Sequence, residues 1–388
     1  MAGDVRQTPR RVSPPVYLDY QATTPLAPEA AAAMRPWLDT KFANPHSPSS
    51  PGREAAAAVE VARGRVISAL GGADLPGHLY FTSGATEAIN WALKGAAARL
   101  PAERRRIVTL ATEHAAVLDT VEWLGGQGFD VEILPVFVDG LAMQETLAEA
   151  TAVPTGIVAA MLVNNEIGVI QPIEEIAALA RRRGALFLCD AVQGFGRVTL
   201  PLESCDMVAL SAHKVHGPKG IGALWVRDGV EIDPLLHGGG QEGGIRSGTL
   251  SPALCAGFGE AARLLDERRA ADHAHVERLW TLALQLMPGW TVNGSVDARY
   301  HGNLSLCRPG VDSARLISES RGVAFSAGSA CASGSGRPSH VLVALGLSDR
   351  EARSAIRLGF GRYTSEQQLT EALTLINAAA NRQLDFAS

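Results

Sequence analysis

Residues 155–190 are the segment most informative about the fold class, and they read TGIVAAMLVNNEIGVIQPIEEIAALARRRGALFLCD. It begins with the apolar run 155–163 and closes with the apolar run 185–190, and both runs are typical of buried strands. A helix lies between them and ends at Gly184. Its i, i+3, i+4, i+7 stripe consists of Ile173, Ile176, Ala177 and Ala180. Two buried strands joined by a helix predict a parallel strand–helix–strand unit.

The same alternation extends in both directions, from Pro28 to about residue 250. Residues 52–72, GREAAAAVEVARGRVISALGG, predict a helix that Gly71 terminates. Further strand-like runs are HLYF, RIVTLA, DVEILPV, DMVAL and IGALWV. The pattern predicts an α/β domain with a mainly parallel sheet that helices cover on both faces. Such sheets bind ligands beyond the carboxyl ends of their strands.

The pattern changes after about residue 250, where one long helix leads into mixed helical and strand-like segments. We therefore predict a flexible lead-in at residues 1–16, a large α/β domain at 17–262 and a smaller α+β domain at 263–388. No internal repeat is visible.

Composition excludes several classes of protein. The formal net charge of -5 gives no reason to expect a nucleic-acid partner. No apolar run reaches the ~18 residues of a membrane span, and the N-terminus lacks the apolar segment of a signal peptide. A transit peptide is the alternative, but the polar start is short and contains Asp4. We expect a cytoplasmic protein.

The chain has 5 cysteines, and no pair of them has CxxC spacing, so neither a zinc site nor a disulfide framework is expected. Four lie in apolar surroundings typical of small buried side chains: Cys189, Cys205, Cys255 and Cys307. Cys331 differs, because it lies among Ser, Ala and Gly in SAGSACASGSGRPSH, residues 326–340. That segment is too small-sided to form a core, so a structural role for Cys331 is disfavoured.

Three further strings fall at predicted strand ends. FTSGATEAIN places small residues at a helix start, which suits a phosphate or an ordinary helix cap. Asp190 closes an apolar strand and is either solvated there or paired with a cation. Lys214, in SAHKVHGPKGIG, is either a surface residue or an amine held for Schiff-base chemistry. A phosphate cradle, a buried acid and a strand-end lysine together suit pyridoxal 5′-phosphate, abbreviated PLP.

The chain also resembles the cysteine desulfurases, which are fold-type I PLP enzymes in the class V aminotransferase-like group. The resemblance runs from YLDYQATTPLAP at residue 17 to IRLGFGRYTSEQQL near the C-terminus. Its motifs include FTSGATEAIN, TEHAAVLD, VNNEIG, CDAVQ, SAHKVHGPKGIG, RSGT and SAGSACASG. The sequence departs from the family pattern in QEGG, where Gly243 replaces an arginine, and near Ser49, where a histidine is often found.

The resemblance implies roles for twelve residues. Lys214 matches the Schiff-base lysine, Asp190 the partner of the pyridinium nitrogen, and Gln193 the donor to the phenolic oxygen. His114 matches a histidine that stacks on the pyridine ring and moves protons. The expected phosphate contacts are Ala85, Thr86, Ser211 and His213. Thr249 matches a contact to the phosphate of the neighbouring subunit, which implies a homodimer. Asn165 and Arg357 match groups that hold the substrate, and the fork of an arginine suits a carboxylate.

Cys331 is the twelfth residue and matches the nucleophile that takes sulfur from L-cysteine as a persulfide. Gly328, Gly334 and Gly336 would give its loop the freedom to deliver sulfur to an acceptor protein. Arg337 is a candidate for the positive charge that a thiolate needs. The loop matches the longer, group I form, which implies that the acceptor serves iron–sulfur cluster assembly or tRNA thiolation.

Other functions remain open at this point. A selenocysteine lyase or another class V PLP enzyme would share most of these motifs. Because Lys214, Asp190 and Cys331 are all present, a non-catalytic scaffold protein is disfavoured. An NAD enzyme is disfavoured too, since no GxGxxG follows the first strand and GGGQEGGIRSGT has neither dinucleotide nor Walker A spacing.

Overall fold

The computed structural model describes residues 14–72, 74–328 and 338–385. The helices are α1 (Pro28–Asp39), α2 (Ser50–Ala69), α3 (Ala85–Ala97), α4 (Ala115–Gly125), α5 (Gln144–Ala150), α6 (Ile173–Arg182), α7 (Pro252–Leu286), α8 (Ser313–Glu319), α9 (His340–Ala344), α10 (Asp349–Arg353) and α11 (Glu366–Asp385). The strands are β1 (Val16–Tyr17), β2 (Gly77–Thr82), β3 (Arg106–Leu110), β4 (Asp130–Leu134), β5 (Thr155–Met161), β6 (Leu186–Asp190), β7 (Met207–Ser211), β8 (Gly222–Arg227), β9 (Thr291–Val292), β10 (Asn303–Cys307), β11 (Val323–Ala324), β12 (Ser326–Ala327) and β13 (Ala355–Gly359). None of the helices in these ranges is both long and apolar enough to span a bilayer.

A seven-stranded sheet forms the centre of the molecule, in the order β2-β8-β7-β6-β5-β3-β4. Strands β3 to β7 pair in parallel, whereas β8 runs antiparallel to both of its neighbours, β7 and β2. The prediction of a mainly parallel α/β sheet is therefore confirmed. The carboxyl ends of β2, β3, β5, β6 and β7 all lie at one edge of this sheet.

Both faces of the central sheet are covered, because consecutive side chains of a strand point to opposite faces. Ile157 and Leu188 belong to the core under α3 and α4, and their chain neighbours Val158 and Phe187 belong to the core under α2, α6 and α7. All four side chains are buried. This two-sided burial explains why the strands of the sequence are continuous apolar runs.

A second core surrounds the sheet β12-β13-β10-β9, which is antiparallel. Helix α11, α8 and the second half of α7 pack on this sheet. The N-terminal segment joins this body too, since β1 pairs in parallel with β11 and Leu18 is fully buried in the second core. The limits 17–262 and 263–388 stay a prediction, and α7 passes through residue 262 as one continuous helix.

Candidate active site

A cavity of about 500 Å³ opens at the carboxyl edge of the central sheet. The fold brings most of the residues singled out in the sequence to its walls, from six different elements and turns. They are Ala85, Thr86, His114, Asn165, Asp190, Gln193, Ser211, His213, Lys214 and Arg357. Most of these residues meet because the strands of the parallel set deliver their last residues to the same edge. Arg357 comes from β13 of the second sheet, so residues about 270 positions apart share one site.

Lys214 and Asp190 follow neighbouring strands. Asp190 is the last residue of β6 and is only 6% exposed, so the alternative of a solvated carboxylate is wrong. One of its oxygens, Oδ1, accepts the N–H of Val192 at 3.0 Å. Burial raises the pKa of Asp190, while His114 and Lys214 act in the opposite direction. A cationic or N–H partner in the cavity would offset that desolvation.

His114 caps helix α4, and this contact fixes which ring nitrogen carries a proton. Its Nδ1 accepts the N–H of Ala116 at 3.0 Å, so the neutral ring holds its proton on Nε2. Burial lowers the pKa of His114; the charge of Asp190 opposes this shift and the charge of Lys214 adds to it. A neutral His114 can therefore offer an N–H donor through Nε2 at neutral pH.

The first turn of α3 forms the opposite end of the cavity, where Ala85 and Thr86 lie beside Ser211 and His213. The first N–H groups of a helix have no partner within the helix and attract anions. Burial, followed by the charges of Lys214 and Lys219, lowers the pKa of His213 to about 4. The neutral His213 ring is held through Nδ1 by Thr23 Oγ1 at 3.2 Å.

Asn165 and Arg357 also line the cavity and contribute polar atoms to it. Arg357 is fully buried on β13, and its Nη1 donates to the backbone oxygen of Asn165 at 3.0 Å. Among the described residues neither Oδ1 of Asn165 nor Nε of Arg357 has a hydrogen-bond partner. An acceptor and a charged donor that are buried without partners suit a polar ligand with a carboxylate.

The N-terminal segment 19–24 also belongs to the site, and reasoning from single residues did not assign it a role. Lys214 Nζ donates to the backbone oxygens of Gln21 and Ala22, the latter at 3.0 Å. Gln193 Nε2 donates to the oxygen of Gln21 at 2.9 Å. Because these contacts use backbone carbonyls, no side-chain type signals them in the sequence. The only available signal was the family motif YLDYQATTPLAP.

Two predicted site residues lie elsewhere. Thr249 is exposed and is not part of the cavity wall. Cys331 lies outside the described residues, as does Arg337. The other four cysteines are buried, as their apolar contexts predicted. Within the described ranges no group of three or more His, Cys, Asp or Glu side chains is placed to hold a metal ion.

Comparison with known proteins agrees with this arrangement. Residues 16–371 match the family Aminotransferase class-V. The chain belongs to the class-V aminotransferase family. Among its class-V relatives, cysteine desulfurase IscS of Rickettsia bellii is 43% identical over an alignment of 382 residues that covers 96% of this chain and 93% of the relative. IscS of Rickettsia akari is 44% identical over 371 residues, or 93% of this chain and 90% of the relative. The chain thus belongs to the cysteine desulfurases of the family, which confirms the resemblance seen in the motifs.

Solved structures confirm the class-V fold. A NifS-like protein superposes with a TM-score of 0.88 and 33% identity, over 95% of this chain and 100% of that one. A structure described as SspA in complex with cysteine gives a TM-score of 0.79 and 35% identity, over 90% of this chain and 99% of that one. The fold-type I class expected from the sequence is therefore correct.

Proposed function

We propose that this chain is a PLP-dependent cysteine desulfurase of the cytoplasm, which converts L-cysteine to L-alanine and transfers the sulfur to Cys331. The observation that carries the proposal is the meeting of Lys214, buried Asp190 and the N-terminus of α3 on one cavity. The family and its curated relatives support the same reaction.

The residues present fit PLP. Lys214 would hold its carbonyl carbon, Asp190 its ring nitrogen and Gln193 its phenolic oxygen, and the first turn of α3 with Ser211 and His213 would hold its phosphate. Burial raises the pKa of Asp190, and a ring N–H beside its carboxylate would offset that desolvation. Bound there, PLP would provide the electron sink that stabilises the negative charge left when a substrate Cα–H bond breaks.

The protein's own groups would orient the substrate and move its protons. Arg357 would bind the carboxylate of L-cysteine, and Asn165 would hold the substrate against the cofactor. Lys214 would take the proton from Cα of the substrate. Its Nζ is positioned for this by the backbone oxygens of Gln21 and Ala22. His114 would donate through Nε2 to a group in the cavity.

Cys331 would perform the sulfur transfer. Its thiolate attacks Sγ of the bound L-cysteine, so that an S–S bond forms and the substrate's Cβ–Sγ bond breaks. The three-carbon remainder gains protons and leaves as L-alanine, while the sulfur stays on Cys331 as a persulfide. Atoms and electrons balance, because the Cys331 thiol and one L-cysteine become one Cys331 persulfide and one L-alanine.

Thr249 supports the proposal of a homodimer. It is exposed and away from the cavity of its own chain, in the glycine-rich loop that includes Glu242–Gly244. A second copy would bring this hydroxyl to the phosphate end of the neighbouring site. The persulfide would then pass to an acceptor protein that serves iron–sulfur cluster assembly or tRNA thiolation.

The first test is single-turnover desulfuration of L-cysteine without reductant. We expect wild type to form one alanine and one protein persulfide per site, with the persulfide mapped to Cys331 by mass spectrometry. Cys331→Ala should lose both products. The matched control is Cys255→Ala, which removes a fully buried thiol and should keep the stoichiometry.

Two results would count against the proposal. If Cys331→Ala forms alanine and sulfide as fast as wild type, Cys331 is not the nucleophile. If selenocysteine is turned over and L-cysteine is not, the enzyme is a selenocysteine lyase of the same fold.

A further inference from the structure

Arg357 is held on the cavity wall by a carboxylate from the other end of the chain. Its Nη2 donates to Oδ1 of Asp19 at 2.8 Å, and its Nη1 donates to the oxygen of Asn165. The arginine side chain is 1% exposed and that of Asp19 is 17% exposed. The Arg357 end of this ion pair is therefore shielded from water. A charge-assisted hydrogen bond is stronger there than at an exposed site.

The second oxygen of Asp19 is bound as well. Oδ2 accepts the hydroxyl of Ser326 at 2.8 Å, and Ser326 lies directly opposite Arg357 in the β12–β13 pairing. The backbone of Asp19 also forms a bridge with Gly359 on the strand that carries Arg357. Asp19 is thus held at its backbone and at both carboxylate oxygens, and these contacts restrain its side-chain rotamer.

These contacts determine which part of the guanidinium remains available. Nη1 donates to one protein oxygen and Nη2 donates to two, Oδ1 of Asp19 and, at 3.4 Å, Oγ of Ser326. Nε is buried without a partner in the part of the chain that the structure describes. Asp19 also balances the charge of Arg357, so a ligand meets an oriented donor in an ion pair rather than an isolated cation. Recognition of a carboxylate at such a site depends on geometry more than on net charge.

We propose that Asp19 is a positioning residue that orients Arg357 for the α-carboxylate of the substrate, and that Ser326 fixes Asp19 for this task. The inference rests on the proposed function, in which Arg357 binds that carboxylate. Asp19 itself acts only through Arg357. We expect the orientation that Asp19 gives to Arg357 to make the site prefer a ligand with a carboxylate over one with a neutral amide.

The test uses the PLP-loaded enzyme and two ligands that lack a sulfur atom, L-alanine and L-alaninamide. Binding of each is followed by the change in the visible absorbance of the cofactor. Wild type should bind L-alanine more tightly than L-alaninamide. Asp19→Ala should weaken L-alanine binding about tenfold or more, as expected for the loss of a charge-assisted hydrogen bond, and change L-alaninamide binding less than about twofold.

Two conservative variants separate positioning from general destabilisation. Asp19→Asn keeps an acceptor for Nη2 and a donor for Ser326 Oγ, and it should bind L-alanine at least as tightly as wild type. Ser326→Ala removes the donor to Oδ2 of Asp19 and a longer contact at 3.4 Å to Nη2 of Arg357, and it should weaken L-alanine binding about twofold to threefold. If Asp19→Ala does not fold, Asp19→Asn and Ser326→Ala together test whether Asp19 positions Arg357.

The inference is overturned if Asp19→Ala changes the affinities for the acid and the amide by the same factor, or changes neither. It also fails if Asp19→Asn does not restore binding. If wild type binds neither ligand or does not distinguish them, the proposed role of Arg357 fails first. The two failures are therefore distinguishable.

Discussion

Arg197 does not line the cavity, but it binds two residues that do, Gln193 and Lys214. Its Nη1 donates to Oε1 of Gln193 at 2.6 Å and its Nη2 donates to the backbone oxygen of Lys214. Because Oε1 of Gln193 faces Arg197, the amide nitrogen of Gln193 is the end that reaches Gln21 and the cavity. Arg197 therefore determines whether Gln193 can act as a donor.

Replacement of Arg197 by methionine should leave Oε1 of Gln193 without its hydrogen-bond donor. We expect a loss of about 1–3 kcal/mol in the free energy of unfolding and weaker retention of PLP, because the Gln193 amide can then flip. Urea unfolding and equilibrium dialysis of the cofactor measure the two effects. Arg197→Lys keeps one donor and should lie between methionine and wild type. Unchanged cofactor retention in Arg197→Met would show that Arg197 does not orient Gln193.

Individual residues were predictable where the chemistry needs an unusual side chain at a strand end. Asp190 and Lys214 stand out for that reason, and the structure places both on the cavity. Asp19 and Gln21 did not stand out, because the sequence places them about 170 to 340 residues away from the groups they contact. Such contacts depend on how the N-terminal segment crosses the second sheet, and no local pattern encodes that.

Two ion pairs attach the glycine-rich loop to the central sheet. Glu242 binds Arg63 of α2 through both oxygens, at 2.7 and 2.9 Å, and its Oε2 accepts the N–H of Phe81 at 2.9 Å. Arg246 binds Glu87 of α3 at 2.7 and 3.0 Å. Since β2 is an edge strand, Glu242 also occupies a backbone donor that would otherwise be exposed at the sheet edge.

Glu242→Gln should loosen this attachment. The Glu242 side chain is 3% exposed, so loss of its charge leaves Arg63 with only the exposed Glu60 as a carboxylate partner. We expect the free energy of unfolding to fall by about 3 kcal/mol, at the lower end for a broken buried pair. Urea unfolding of the PLP-loaded enzyme measures it.

The matched control for this change is Glu267→Gln. Glu267 binds Arg263 at 2.5 Å, but its side chain is 58% exposed. The control should cost less than about 1 kcal/mol, because water screens the pair. Equal losses in the two variants would contradict the view that burial makes the Glu242 attachment strong.

The elements of the central domain were largely predictable, since apolar runs marked β2 to β8, helical periodicity marked α6 and a terminal glycine marked the end of α2. The direction of strand β8 could not be predicted from the sequence. Strand β8 is as apolar as its parallel neighbours, and its antiparallel pairing with β7 and β2 follows from the short turn through Lys214 that returns the chain. A turn too short for a crossover helix forces antiparallel pairing.

The two cores are joined by more than α7. Residues 14–25 pass from the second core, which Leu18 enters, across the cavity to the central sheet. His216 lies where this passage ends. Its Nδ1 lies 2.9 Å from the oxygen of Pro25, and its ring contacts Tyr363 of the C-terminal body with 5.0 Å between ring centroids. One buried imidazole thus contacts two distant parts of the chain, the N-terminal segment and the C-terminal body.

This placement makes the stability of the whole molecule depend on pH. Burial lowers the pKa of His216 to about 3, whereas an unfolded histidine titrates near ~6.5. Between these values the unfolded chain binds a proton that the folded chain does not, so the stability falls as the pH drops below ~6.5. The loss attributable to His216 should reach about 2 kcal/mol at pH 5.

His216→Asn tests this dependence, because asparagine tolerates the backbone φ of 66° and does not titrate. The variant should be less stable than wild type at pH 7.5, where ring packing is lost. The difference should shrink by about 2 kcal/mol at pH 5, where wild type has lost the contribution of a neutral His216. Urea unfolding at the two pH values gives both numbers, and the other buried histidines cancel in the difference. A gap between the two proteins that is the same at both pH values would mean that His216 takes up its proton in the folded state as readily as in the unfolded chain.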